Sequence, residues 1–140
     1  MEIKKDMDVI HQLLKDGEGE KLDFKQSINK SSRIAKTLVA FANTEGGKIA
    51  VGISDRGKIK GVDPEEEKFM INQANNQFCV PPVFLNFETY EVDYLDGEEL
   101  EEEIYVLIVN VTKSSRQHSY KNPDGSLSAY IRNKDKTLPV

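Results

Sequence analysis

The stretch Ala35–Ile53, AKTLVAFANTEGGKIAVGI, decides the fold, because it contains a helix, the stop that ends it and a strand in direct succession. Ile34, Ala35, Leu38, Val39, Phe41 and Ala42 recur at the spacing of a broad apolar helix face. Ser31-Ser32 offers an N-cap in front of that face. Asn43-Thr44-Glu45-Gly46-Gly47 then ends the helix, since glycine reaches the positive φ that a helix C-terminus wants. Lys48–Ile53 follows as an apolar run too short for a helix and bounded by turn residues, which predicts a buried interior strand.

Working outward, Met7, Ile10, Leu13 and Leu14 predict an amphipathic helix over Ile3–Lys15, closed by Asp16-Gly17. Leu22 and Phe24 alternate with Lys21, Asp23 and Lys25, as in a short strand with one wet face. Beyond the central stretch, Asp55-Arg56-Gly57-Lys58 reads as a turn and Ile59–Val62 as a short partner strand. Asp63-Pro64 and three glutamates open a helix running to about Gln77, because proline suits the first turn and acids suit the positive end of the dipole. Leu85–Tyr94 and Ile104–Val111 read as strands joined by a charged hairpin tip, and Leu127–Arg132 as a last strand. The expected fold class is α+β: a mixed, largely antiparallel sheet with helices packed on one side of it, in a single domain over 1–140.

The totals restrict the function classes. One cysteine, Cys79, leaves no intrachain disulfide and fits a reducing, cytoplasmic compartment. Among apolar neighbours it reads as a small buried hydrophobe. No apolar run approaches the ~20 residues that a membrane helix needs, so no membrane partner is expected. The net charge of −5 argues against a nucleic-acid partner until its distribution is read. Lys21–Lys60 holds nine Lys and Arg against three acids, and Lys113–Lys136 holds six against two. Asp63–Glu103 holds thirteen acids against Lys68 alone. Two basic blocks therefore flank an acidic one, and cationic surface is what phosphate binding requires.

Most familiar catalytic patterns are absent. There is no GxxxxGK[ST] loop and no GxGxxG after a strand, and His11, His118 and Cys79 fall at no zinc-site or nucleophile spacing. His11 reads as a surface residue, and His118, in a basic loop, as a residue within reach of phosphate. What remains is a set of acids. Glu18 and Asp23 flank the start of one strand and Asp55 follows the end of another. If those strands are neighbours, three carboxylates could converge on Mg²⁺ or Mn²⁺ and activate water against a phosphodiester. Equally, Glu18 and Asp55 fit turn charges and Asp23 a wet-face strand residue.

Several stretches resemble one family. Glu18-Gly-Glu-Lys-Leu-Asp23-Phe24-Lys25 is similar to an element in which an acid precedes an acid-Phe-Lys triplet by five residues. Ile34–Gly47 (IAKTLVAFANTEGG) resembles the signature helix of Schlafen AlbA-type domains, once classed as a divergent ATPase group. Val51-Gly52-Ile53-Ser54-Asp55, Gly57 and Gly61-Val62 match the strand and turn that follow it, and Tyr130-Ile131-Arg132 the closing Tyr-x-Arg strand. The resemblance implies a nucleic-acid-binding α/β fold, found in bacterial regulators of transcription that carry a further C-terminal region. This chain would then be the N-terminal part of a longer protein. In vertebrate Schlafens, paired copies form a cleft that cuts transfer and ribosomal RNA, which makes a homodimer a further expectation.

By motif position the cutting acids of those nucleases correspond to Glu18, Asp23 and Asp55. Here Asp stands at 23 where Glu is usual, and the zinc-binding His/Cys set and second fused copy are missing. The expectation is therefore a domain binding DNA or structured RNA through Lys25, Lys36, Arg56, Lys58, Arg132 and Lys134. Metal-dependent endoribonuclease action is the alternative, and ATP or nucleotide binding, carried by the older family label without a Walker motif, a further one.

Overall fold

The computed structural model describes residues 2–140. The chain runs β1 (Ile3–Lys4), α1 (Met7–Asp16), β2 (Leu22–Lys25), α2 (Ser31–Asn43), β3 (Gly47–Val51), α3 (Pro64–Phe78) and β4 (Cys79–Val80). It continues as β5 (Leu85–Leu95), β6 (Glu98–Val111), β7 (Ser119–Lys121), β8 (Leu127–Ser128), β9 (Tyr130–Asn133) and β10 (Lys136–Pro139). The main sheet has the order β1-β5-β6-β3-β2. Its β5–β6 and β6–β3 pairs are antiparallel, and β1–β5 and β3–β2 parallel. Parallel neighbours need a crossover, and α2 is the crossover that carries the chain from β2 to β3. The α+β class with a mixed sheet is therefore as expected.

The helices do not all lie on one side, as the sequence had suggested. Strand alternation sends Ile49, Val51, Leu107, Val109 and Val111 to one face, where they pack with Ile34, Leu38 and Phe41 of α2 and Ile71 and Ala74 of α3. Ala50, Val106, Ile108, Tyr90 and Val92 point to the other face and meet Ile10 and Leu13 of α1. With β3 and β6 apolar on both faces, one layer of helices cannot cover the sheet, and α1 fills the second side.

Boundaries shift for local reasons. Helix α1 begins at Met7 because the Asp6 carboxylate accepts from the Asp8 N–H, leaving Ile3–Lys4 to pair in parallel with Thr89 and Tyr90. Helix α2 is capped at Lys30 with no side-chain bond, so Ser31 is helical rather than capping. Asp63 caps α3 as its sequence implies, accepting from Glu65 and Glu66 N–H. Ile59–Val62 makes a single bridge, Ile53 to Ile59, instead of a strand. The expected last strand breaks at Ala129 into β8 and β9, which join different small sheets, and β10 returns against β9. Cys79 is 2 % exposed, and burial pushes its thiol up to about 12, which suits a packed hydrophobe.

The end of α2 is stitched to the second half of the chain. Asn43 Nδ2 donates to the carbonyls of His118 (2.9 Å) and Tyr130 (3.1 Å), while its Oδ1 accepts from the His118 N–H (2.8 Å). Thr44 Oγ1 donates to Ala40 O and accepts from the Arg132 N–H at 2.9 Å. Gly46 has φ 73°, and a Cβ there would lie 2.7 Å from Val111 O and 2.8 Å from Lys113 N. Asn-Thr-x-Gly thus terminates the helix and satisfies the backbone of the segments that cross it.

Candidate nucleic-acid interface

Strands β2 and β3 are parallel neighbours in the register Asp23↔Ile49 and Lys25↔Val51, which is the condition that brings the sequence-marked acids toward one sheet edge. Because β2 is the edge strand, the Phe24 N–H has no strand to meet on its outer side. Glu18 Oε2 accepts it at 3.1 Å. The Glu18 and Asp23 carboxyls are neighbours, and a proton on Glu18 can form a hydrogen bond to Asp23. Burial, that hydrogen bond and the charges of Asp23 and Asp55 together raise Glu18 to about 7, against an accepting bond from Phe24 N–H that works the other way.

Asp23 is not on a wet face. It is 4 % exposed, because it projects beside Ile49 on the α2 side of the sheet. Its burial pushes the carboxyl up, but the hydrogen bond with Glu18 and the charges of Lys25 and Arg132 outweigh that and hold it below the usual value. Arg132 Nη2 lies 3.1 Å from Asp23 Oδ1 and Lys25 Nζ 3.0 Å from Oδ2. Asp55 is exposed in the turn after β3, where Ser54 N–H donates to Lys58 O at 2.9 Å and Gly57 N–H to Ser54 O at 2.9 Å.

These carboxylates, as arranged, do not fit a resident Mg²⁺ or Mn²⁺. Both oxygens of Asp23 already face cationic side chains. Among the described residues, no group of three Asp, Glu, His or Cys side chains is placed to hold a metal ion.

The cations expected on the surface divide into three sets. Arg132 is buried at 4 %, contrary to the wet-side placement read from the sequence. Its Nε donates to Gly19 O (3.1 Å), Nη1 to Thr137 Oγ1 (3.2 Å) and Nη2 to Leu22 O (3.3 Å), and its guanidinium lies over the Phe41 ring at 4.8 Å. It is a tie between β9 and β2. Likewise His118, read as a phosphate candidate, is 5 % exposed, with Nδ1 bonded to Pro81 O at 2.7 Å. Lys25 and Lys36 are half-buried: Lys25 pairs with Asp23, and Lys36 Nζ sits over Tyr120 (5.0 Å) and Tyr130 (5.5 Å). Arg56, Lys58 and Lys134 are exposed, Lys134 in the β9–β10 turn, away from the other two in sequence.

Arg56 and Lys58 come together with Lys60. All three line two adjoining depressions at the segment after β3. The first, of about 430 Å³, also holds Gln26, Ser54 and Asp55. The second is a groove of about 610 Å³ also lined by His11 of α1 and Tyr94, Leu95 and Asp96 of the β5–β6 hairpin. None of Arg56, Lys58 and Lys60 is ion-paired with a described residue. Lys60 had a sequence signal in its place in the basic block that ends with Arg56, Lys58 and Lys60. Tyr94 had none, because it is brought there by a long-range pairing.

These features define an α+β domain with helices on both faces of a mixed sheet and a cation-lined groove at the exit of β3. The family model described as Schlafen, AlbA_2 matches residues 18–140, and the chain belongs to that family. Membership makes it a nucleic-acid-related domain. No curated protein matches the chain. Among solved structures it is similar to the DIP2311 protein of Corynebacterium diphtheriae, at 19 % identity and a TM-score of 0.54. That likeness covers 96 % of this chain and 26 % of the other, so this chain spans about a quarter of that protein. It is a likeness of fold. Among the described residues no helix is long and apolar enough to cross a membrane.

Proposed function

We propose that this chain binds DNA or structured RNA through phosphates, as the nucleic-acid-binding domain of a bacterial-type transcriptional regulator. The observation that supports it is the set Arg56, Lys58 and Lys60: exposed, without an ion pair to any described residue, and gathered on the same two depressions. Lys25 is paired with Asp23, Lys36 lies over Tyr120 and Tyr130, Lys134 is in the β9–β10 turn, and Arg132 is buried. Cations without protein partners keep their interaction for an external anion, and phosphate contacts give affinity that falls steeply with salt. Fluorescence anisotropy with a labelled stem-loop RNA and a DNA duplex at about 50 and 200 mM salt tests the reading. Binding at the lower salt that weakens by an order of magnitude or more supports it, and no binding at low salt overturns it.

Metal-dependent endoribonuclease action is the second reading, favoured by one observation: Glu18 feels the charges of both Asp23 and Asp55. Against it stand Lys25 and Arg132 on Asp23. Incubating the protein and Asp55→Ala with transfer RNA and Mn²⁺ separates the readings. Cleavage lost in the variant would establish the nuclease, and no cleavage by either protein leaves a binder. A homodimer would supply two such lobes, and light scattering that finds monomer alone counts against one.

A further inference from the structure

The groove is not cationic on all sides, and its asymmetry selects among nucleic acids. The segment after β3 gives its lining Arg56, Lys58 and Lys60, the β5–β6 hairpin Tyr94, Leu95 and Asp96, and α1 Met7, His11 and Leu14. Leu95 packs on the α1-side core and fixes the hairpin there, whereas Tyr94 is 55 % exposed although it sits on a strand. The β5–β6 ladder loses its register between Val92 and Tyr94, a local irregularity of the kind that re-aims a side chain. From Asp93 to Glu103 the hairpin behind Tyr94 carries seven acids and no base.

Building on the phosphate-binding reading, we infer that this groove takes a single-stranded segment, such as an RNA loop or an unpaired strand, and disfavours a duplex. One phosphate backbone lies along Arg56, Lys58 and Lys60, and an unstacked base lies on the Tyr94 ring. Base–aromatic stacking is available only to a base free of its partner strand. A duplex presents a second row of phosphates on the far side of its groove. Here that row meets Asp96, since none of the hairpin residues that line the groove is a cation, and like charges repel. A volume of about 610 Å³ suits a nucleotide-sized occupant and not the width of a double helix.

The test uses the full chain and a labelled RNA of about 12 nucleotides designed without self-pairing, alone and annealed to its complement. At one low salt concentration the single strand binds at least about tenfold tighter than the duplex. Tyr94→Ala weakens the single strand by about tenfold and leaves the duplex unchanged, while Tyr94→Phe, which keeps the ring, restores single-strand binding. Asp96→Lys combined with Glu98→Lys narrows the preference by strengthening the duplex. Tyr94, Asp96 and Glu98 are all exposed, so circular dichroism melts of the Tyr94 variants stay at the wild-type value, while the lysine pair drops by a few degrees because Asp96 has φ 53°. Duplex binding as tight as the single strand, or a single-strand affinity indifferent to Tyr94→Ala, overturns the inference and leaves phosphate binding standing. Failure of both RNAs to bind overturns the inference and the phosphate-binding reading together.

Discussion

Arg132 illustrates how one residue can look functional in a sequence and be structural in the fold. Its guanidinium reaches Asp23, Gly19 O, Leu22 O and Thr137, joining segments more than a hundred residues apart. Removing one partner of a buried pair strands the other charge, at a cost of about 3–5 kcal/mol. Arg132→Ala should therefore lower the thermal midpoint sharply, whereas the salt dependence of nucleic-acid affinity in the folded fraction of Arg132→Gln, which removes the charge, stays at the wild-type slope. A shallower slope in the glutamine variant would make Arg132 a phosphate contact after all. The sequence offered no means of seeing this pairing, because Asp23 and Arg132 each sit in an alternating strand whose wet and covered faces cannot be told apart locally. Glu18 gives a second prediction. Its carboxyl is raised from 4.5 to about 7, so between those values the folded chain holds a proton that the unfolded chain has released. Stability attributable to this group therefore falls as pH rises from about 4.5 to 7. Glu18→Gln keeps an acceptor for Phe24 N–H and a donor for Asp23, as the protonated acid does. Thermal midpoints read across that window should decline less in the glutamine variant than in the wild type. Asp23, held low, acts in a separate window below its ordinary 3.8, where protonation removes stability.

At the scale of elements, the unit from α2 through β3 was legible because its signals are local: an apolar face of period 3.6, a glycine stop and an apolar run. The small sheets were not, since strands of two to four residues carry too few side chains to show a period. The helix layers were also misplaced, because amphipathicity tells that α1 has a buried face without telling which side of the sheet it covers. Glycine positions allow a test of what the stop requires. A Cβ added at Gly17 (φ 72°) would have nothing within 4 Å, while one at Gly46 (φ 73°) would meet backbone atoms of Val111 and Lys113. Gly17, at φ 72° and ψ 172°, occupies a region that is essentially glycine's alone, and the strain expected for Gly17→Ala is about 1–3 kcal/mol. Gly46→Ala adds a collision with main chain that cannot rotate away, so urea denaturation should show the larger loss there. Equal losses would mean that β6 and the loop after it yield easily, and that α2 and β6 are less firmly clamped than the Asn43 and Thr44 bonds imply.

For the whole molecule, the net charge of −5 conceals a polar arrangement in which one acidic hairpin and one cationic turn both line the same groove. The charge blocks were visible in the sequence, but their confrontation was not, since it depends on β5 and β6 extending past the sheet to bring Tyr94 and Asp96 beside the turn after β3. This placement makes a quantitative expectation for binding. Each phosphate neutralised by a cation contributes about −0.9 to the slope of log K against log salt on duplex DNA, and about −0.7 on a single strand. If Arg56, Lys58 and Lys60 each take one phosphate of a single strand, together they account for a slope of about −2. Replacing all three by glutamate should abolish binding at moderate salt and flatten whatever residual slope is measured at low salt. The same charge reversal at Lys134, in the β9–β10 turn, should leave most of the affinity intact. Because these side chains are exposed and without an ion pair to any described residue, the triple variant should melt within a few degrees of the wild type, which separates lost binding from lost folding. Should Lys134→Glu prove as damaging as the triple change, the contact surface would extend across the α2 side of the molecule, and the groove would be only its margin.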